Sequence, residues 1–283
     1  MRQRKLLTVA NNISNREKLN NSLVYTISKT NDAILRVNLK DCRRKNIIFN
    51  VEDDVNATIT LSADDSDKIV KFNLSSNSNL KLNIVSLYAP FSSNSFSFRI
   101  QENASVDVAY ADFTNGSGNV EVNFELLENS AKANWNLASG ATQDDKKSFV
   151  VNFNHRALDT HSSMICSGVA RDNANLHFLG DSHIFNGAKK SSAHQKAKII
   201  VFDKKCVAKA NPILKIDEND IEASHGAALG TVSEEQLFYL CSRGIKENDA
   251  KQMITYGYLR PIISHFADEK IIKDIEATIE KRV

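Results

Sequence analysis

Proline and glycine are scarce in this sequence, 3 and 10 in 283 residues. Tight two-residue hairpin turns would call for more of both. Asparagine, aspartate and serine must therefore make the turns, since their short side chains bond nearby backbone and tolerate left-handed conformations. The four cysteines, Cys42, Cys166, Cys206 and Cys241, are widely spaced with no CxxC pair, which fits neither a disulfide scaffold nor a structural zinc site. Charge of one sign is also lacking: 36 Lys and Arg against 34 Asp and Glu leave a net +2. No basic block is long enough to follow a phosphate backbone, so nucleic acid is not an expected partner. No apolar run approaches the roughly 18 to 20 residues of a membrane span, and the mean hydropathy is -0.33. The apolar stretch Leu6 to Ala10 is shorter than the about 7 residues of a signal-peptide core. A soluble, cytoplasmic protein that does not engage a membrane is expected. No phosphate-cradling glycine loop, nucleophile elbow or HExxH motif occurs, which argues against nucleotide or peptide hydrolysis by this chain.

What is present is alternation, in a chain whose 42% hydrophobic residues can bury a sizeable core. From about Ala33 to Leu214, apolar and polar residues alternate in short runs such as Ile47 to Val51, Thr58 to Leu61, Val106 to Tyr110 and Val120 to Phe124. Alternation of this kind marks strands with one buried face. Acidic and Asn-rich turns separate the runs, and from Asp53 through Asn77, Asn103, Asn129 and Asn173 the steps are 24, 26, 26 and 44 residues. The last step equals about two shorter repeats. Short strands and polar turns at such a period predict a β-solenoid whose rungs bury their faces against one another. The rival all-β architecture, a sandwich or barrel, would space its turns at about 8 to 12 residues and use more Gly and Pro.

The texture changes after Gly230. Ser233-Glu234-Glu235-Gln236 is a capping-box arrangement, and Leu237, Leu240, Cys241 and Ile245 recur at helical spacing around Gly244. One helix is expected from about Glu234 to Arg243. A second carries Met253, Ile254 and Tyr258 until Pro261 interrupts it, and a third runs from about Ala267 to Lys281. Such an appendix would seal the open edge of the last rung and could present a partner surface. The expected organisation is an N-terminal arm or cap over residues 1–30, a β-helix core over 31–222 and a helical domain over 223–283. Leu237, Phe238, Tyr239, Tyr256 and Tyr258 form an aromatic-rich docking candidate. Tyr256 and Tyr258 are expected to be exposed, whereas Leu237 and Phe238 could equally pack onto the last rung.

Five histidines, His155, His161, His177, His183 and His194, lie in the later repeats. Six strand residues span about 20 Å, so neither the first pair nor the second can chelate one ion without a turn between its members, and ladder-forming or exposed side chains are expected. Cys206 is flanked by Lys204, Lys205 and Lys209, cations that would lower a thiol pKa and favour the thiolate that binds sulfur or iron. An idle cysteine is the alternative. Cys166 and Cys241 read as packing residues, and Cys42 is isolated beside Arg43 and Arg44. His225, in Glu222-Ala223-Ser224-His225-Gly226, sits among small residues at the join of solenoid and helices, where an imidazole stays accessible.

Ser224 to Ile245, SHGAALGTVSEEQLFYLCSRGI, resembles the C-terminal signature of the SufB/SufD family of iron–sulfur cluster assembly proteins and is most similar to its SufD branch. The likeness extends upstream in the family's order through His155-Arg156-Ala157 with Ser162-Ser163, Gly168-Val169 with Asp172-Asn173-Ala174, Phe178-Leu179-Gly180 and Ala193-His194-Gln195. It covers roughly Val150 to Phe266. The first half matches in texture only, and the N-terminal helical region common in longer relatives is not expected here.

The resemblance implies a right-handed parallel β-helix followed by a C-terminal α-helical domain. It also implies a non-enzymatic scaffold that pairs with a SufB-like subunit through the β-helices and docks the ABC-type ATPase SufC on its C-terminal helices. Through that complex it would be served indirectly by a cysteine desulfurase and a sulfur carrier. No permanent cofactor is implied, only a transient iron–sulfur cluster at the subunit interface. The family histidine at the position of His225 faces that interface, and KCVAKANP around Cys206 is similar to the cluster-assembly cysteine segment of SufB. His225 and Cys206 are thereby candidate transient ligands of iron or sulfide. The glutamate that SufB carries beside the histidine is replaced by Gly226, and Ser-His-Gly is SufD-like. A SufB-like or homodimeric scaffold is the alternative. A remote one is a β-helix carbohydrate-active enzyme, which needs clustered carboxylates on one solenoid face, whereas Asp and Glu here gather at the turns.

Overall fold

The structure, a computed structural model, describes residues 13–282 except 20, 31–33, 65, 89, 92 and 267, with 13–19 described in backbone only. The alternating segments fold into strands β1 (Ile13–Leu19), β2 (Ser22–Ile27), β3 (Ile34–Asn38), β4 (Asn46–Val51), β5 (Asn56–Ser62), β6 (Ile69–Leu74), β7 (Asn79–Ser86), β8 (Ser95–Ile100) and β9 (Ser105–Asp112). Longer strands follow: β10 (Ser117–Leu126), β11 (Lys132–Ala141), β12 (Lys146–His155), β13 (His161–Ala170), β14 (Asn175–Ile184), β15 (Ser191–Val201), β16 (Val207–Ile216) and β17 (Ile221–Thr231). The even-numbered strands form one parallel sheet, with β1 added to its edge as an antiparallel hairpin partner of β2. The odd-numbered strands from β3 to β17 form a second, parallel sheet. One strand from each sheet makes a rung, so the chain is a parallel β-solenoid. Of the N-terminal arm or cap, residues 1–12 lie outside the described residues.

The rungs lengthen along the chain. Ladder partners are 23 residues apart at Asn50 and Asn73, 26 at Asn77 and Asn103, 29 at Asn123 and Asn152, and 31 at His161 and Ser192. This corrects the reading of the 44-residue step. On one edge Asn103 N–H donates to Asn129 and Ser130 N–H to Leu158, whereas Asn173 N–H donates to Gln143 on the opposite edge. The step therefore joins two different turn ladders. Asp54, Asn77, Asn103, Ser130 and Asp159 take φ between 53° and 60° along the first edge, so the short polar residues hold the left-handed positions that glycine would otherwise fill.

Inside, Tyr25, Phe49, Phe72, Phe98, Phe124 and Phe153 stack at successive centroid distances of 4.5 to 5.0 Å. They share one inward parity, and the strand spacing of about 4.8 Å sets their rings in stacking contact.

The C-terminal segment forms α1 (Glu234–Ser242), α2 (Glu247–Ile263) and α3 (Glu269–Arg282). Ser233 Oγ accepts from Gln236 N–H at 3.2 Å, as the capping residues lead one to expect. Pro261 does not interrupt α2; it lies inside the last turn. Only one backbone bond is lost there, and residue 257, whose carbonyl the proline ring approaches, is a glycine. The helices also do not seal the last rung. Leu259, Ile262, Ile263, Phe266, Ile275 and Ile279 pack on Ala109, Ala111, Phe113, Ala138 and Val169, along the outer face of the odd-numbered sheet, where alanines let a helix approach. The last strand continues to Thr231, past the boundary expected at 222.

Buried charge fixes this arrangement. Arg282, in the last turn of α3, pairs with Asp145 at 2.6 Å and donates to the Phe113 carbonyl. Nearby, inward-facing Lys147 meets Asp112 at 2.6 Å, both side chains fully buried. Burial pushes the Lys147 ammonium below its usual range, opposed by the Asp112 carboxylate. Among the described residues no helix is long and apolar enough to cross a membrane.

Candidate functional site

The solenoid ends unsealed. β16 and β17 are terminal strands of their sheets, so each leaves one row of ladder groups unpaired. Most of β17 is exposed, and Leu229, at the inward parity of buried Ile199, is 52% exposed. A repeat that has no next rung cannot bury its own interior face.

His225 stands in this opening. In register it follows Val108, Trp135, Met164 and Gln195 along one inward column of the odd-numbered sheet. The first four of these are buried and His225 is exposed. Its ring makes no hydrogen bond among the described residues. Beneath it, Gln195 Nε2 donates to Ser182 Oγ at 2.7 Å and to the Ile213 carbonyl at 3.0 Å, tying the two sheets together at this level. On the outer face His194 Nδ1 and Ser224 Oγ lie 2.8 Å apart, and a shallow groove of about 340 Å³ runs between His194, Lys196 and Gly226. A Cβ at Gly226 or Gly230 would meet nothing within 4 Å, so nothing in the chain itself requires glycine there.

Cys206 lies elsewhere. It occupies the turn before β16, and the β16 backbone bound at the His225 level is that of Ile213, six residues after Val207 and hence about 20 Å along the strand. The structure does not bring Cys206 and His225 together. Nor is the thiol activated as its lysines suggest: partial burial first, then the Asp203 and Asp172 charges, push the thiol up, though backbone donors oppose them. Lys204 and Lys205 are exposed, where water screens their charge, and neither is among the influences on this thiol. Cys166 is fully buried and its thiol is pushed far up.

Three of the other histidines are ladder residues, and His155, expected to be exposed or in a ladder, is instead buried. His161 bonds Ser192, His177 bonds Asn211 and His183 bonds Asp217, each one rung on. His155 is fully buried, with Nδ1 on Thr160 Oγ1 and Nε2 on Ser162 Oγ, both at 2.8 Å, and burial lowers its pKa to about 4. Among the described residues no group of three His, Cys, Asp or Glu could hold a metal ion.

On the helices, Phe238 and Tyr239 are 75% and 61% exposed, Tyr258 is 40% exposed and Leu237 is half-buried. Tyr256, expected in solvent, is half-buried because its hydroxyl donates to the Glu276 carboxylate, which raises the phenol pKa. Sequence reasoning missed Gln195 and Lys147. Both were detectable as polar residues at inward parity in an otherwise apolar alternation.

Comparison with known proteins agrees with this architecture. Residues 42–258 match the family model described as SUF system FeS cluster assembly, SufBD core domain. The chain is 35% identical over 159 residues to iron–sulfur cluster assembly protein SufD of Bacillus subtilis, covering 52% of this chain and 36% of that relative. It is 29% identical over 119 residues to an iron–sulfur cluster assembly SufBD family protein of Staphylococcus saprophyticus, covering 42% and 26%. A SufBD family protein of Staphylococcus haemolyticus is 28% identical over the same shares. The matches thus span about a third or less of the length of these relatives. With the family model covering most of a β-solenoid that carries the Ser-His-Gly segment in its last strand, the chain belongs to the SufBD family of the SUF iron–sulfur cluster assembly system.

Proposed function

We propose that the chain is a SufD-like, non-enzymatic scaffold subunit, which pairs through its open solenoid end with a SufB-like β-helix subunit and docks a SufC-type ABC ATPase on its helices. The observation that carries this reading is the unsealed last rung: two unpaired edge strands, an exposed apolar interior and His225 at its inward parity. A second β-helix abutting this end would continue both sheets and cover Leu229. The iron–sulfur cluster is cargo of this junction. His225 would contribute one ligand, and the rest would come from across the interface, since the described residues gather no ligand set of their own. Cys206 is the lesser candidate because of its distance along the strand and because burial pushes its thiol pKa up. Phe238 and Tyr239, with Tyr258, offer the ATPase an exposed aromatic surface of the kind that forms interface hot spots. ATP turnover then belongs to the partner, in the cytoplasm, with a cysteine desulfurase and a sulfur carrier supplying sulfide.

Anaerobic affinity purification of the full chain from its host tests this. The wild type is expected to recover an ABC-type ATPase and a second β-helix subunit. Leu229→Asp should lose the β-helix subunit alone, and Phe238→Ser the ATPase alone. Recovery of neither partner by the wild type sinks the proposal. The unpaired edge of β17 supports a second reading, a self-paired scaffold, which recovery of the ATPase without a second subunit would favour.

A further inference from the structure

Gln195 is 3% exposed, yet its Oε1 has no hydrogen-bond partner. An orphaned buried acceptor is costly, and a position that keeps one calls for an explanation. The amide is not free to turn away from the problem, because Nε2 is committed to Ser182 Oγ and to the Ile213 carbonyl. A Cβ on Gly180, in the facing sheet, would stand 2.6 Å from Met164 Cε and 2.7 Å from Oε1, so the glycine leaves room for both. One rung on, in the same inward column, is the imidazole of His225, which lacks a hydrogen bond among the described residues. A donor and an acceptor without partners therefore occupy adjacent rungs at about the 4.8 Å strand spacing. The histidine is exposed, so its rotamers exchange freely.

We propose that Gln195 is the positioning residue of His225: its Oε1 accepts the N–H of one ring nitrogen, which fixes the tautomer and turns the other nitrogen, with its lone pair, toward the open end. The bond made by one imidazole nitrogen decides which form the other takes. A partner that covers the opening strengthens the arrangement by excluding the water that competes for the exposed imidazole N–H. The inference rests on the reading of His225 as a ligand at the junction, but its test does not depend on cluster assembly.

The test is ¹⁵N NMR of the histidine side chains in the full chain at a pH where imidazole is neutral, with His225→Gln assigning the signal. In the wild type, His225 should favour one tautomer by about fivefold over the ratio of free histidine in the same buffer, the effect of one net hydrogen bond. Gln195→Met should return it to the free ratio. Ser182→Ala, which removes a partner of Nε2 and spares Oε1, should leave the wild-type ratio in place. A wild-type signal already at the free ratio would overturn the assignment. So would a Ser182→Ala shift as large as that of Gln195→Met, because the effect would then come from general loosening of the rung. Unchanged tautomers with lost cluster yield, or the reverse, separate this inference from the proposed function.

Discussion

Phe98 and His225 occupy inward positions of the same solenoid, one in an early rung and one in the last. Phe98 is sandwiched between Phe72 and Phe124 at 4.8 and 4.5 Å and is fully buried. His225 has a neighbour on one side only. The difference is wider than two residues: in register, Ser182 follows Phe153 in the aromatic column, His155 follows Leu126, and Gln195 follows Met164, so polar residues enter the inward columns of the later rungs. A stack of rungs gains stability from every layer, whereas the terminal layer here holds surface that no further rung covers. Under the proposed function, the stacked rungs serve folding and the open end serves assembly.

The sharpest way to break this division is to delete side chains at each end. Phe98→Ala should cost about 3 to 5 kcal/mol in urea unfolding, since it opens a cavity in the middle of a stacked column. A cost below 1 kcal/mol would mean that the column is not what holds the early rungs. The later rungs should instead respond to acid. His155 titrates near 6.5 in the unfolded chain and at about 4 when folded, so between these values only the unfolded state takes up the proton. Stability should be complete above pH 6.5 and fall by on the order of 3 kcal/mol as pH drops to about 4. His155→Gln should flatten that slope, and an equal slope in wild type and variant would assign it to other groups. The smallest effect is expected at the open end. Leu229→Ala, at a position 52% exposed, should move the Tm of the isolated chain by no more than the equivalent of about 0.5 kcal/mol.

Much of this was legible in the residues. Alternation from Ile47 to Phe124 gave strands, Asn77 and Asn103 gave left-handed turns, and Ser233 gave the start of α1. Other features were not. The 44-residue step conceals a change from one turn edge to the other, because both edges use the same Asn and Asp chemistry. Lysines adjacent to Cys206 in sequence suggested a thiolate, but partial burial first, and then the charges of Asp203 and Asp172, set the opposite direction. The aromatic candidates Tyr256 and Tyr258 looked equivalent until α3 brought Glu276 to the first of them.

Periodicity, turn chemistry and capping are local properties, and one sequence was enough to determine them: a mainly β solenoid, polar turns in place of glycine, and three helices after it. Where those helices dock and whether the last rung is closed are decided by contacts between residues far apart in the chain. Arg282 reaches Asp145 and Phe113, and alanines on the outer sheet face accept α2 and α3. Because the helices find their apolar partner along the side of the solenoid, they leave its end bare, and His225 stands exposed in the last rung instead of in a core.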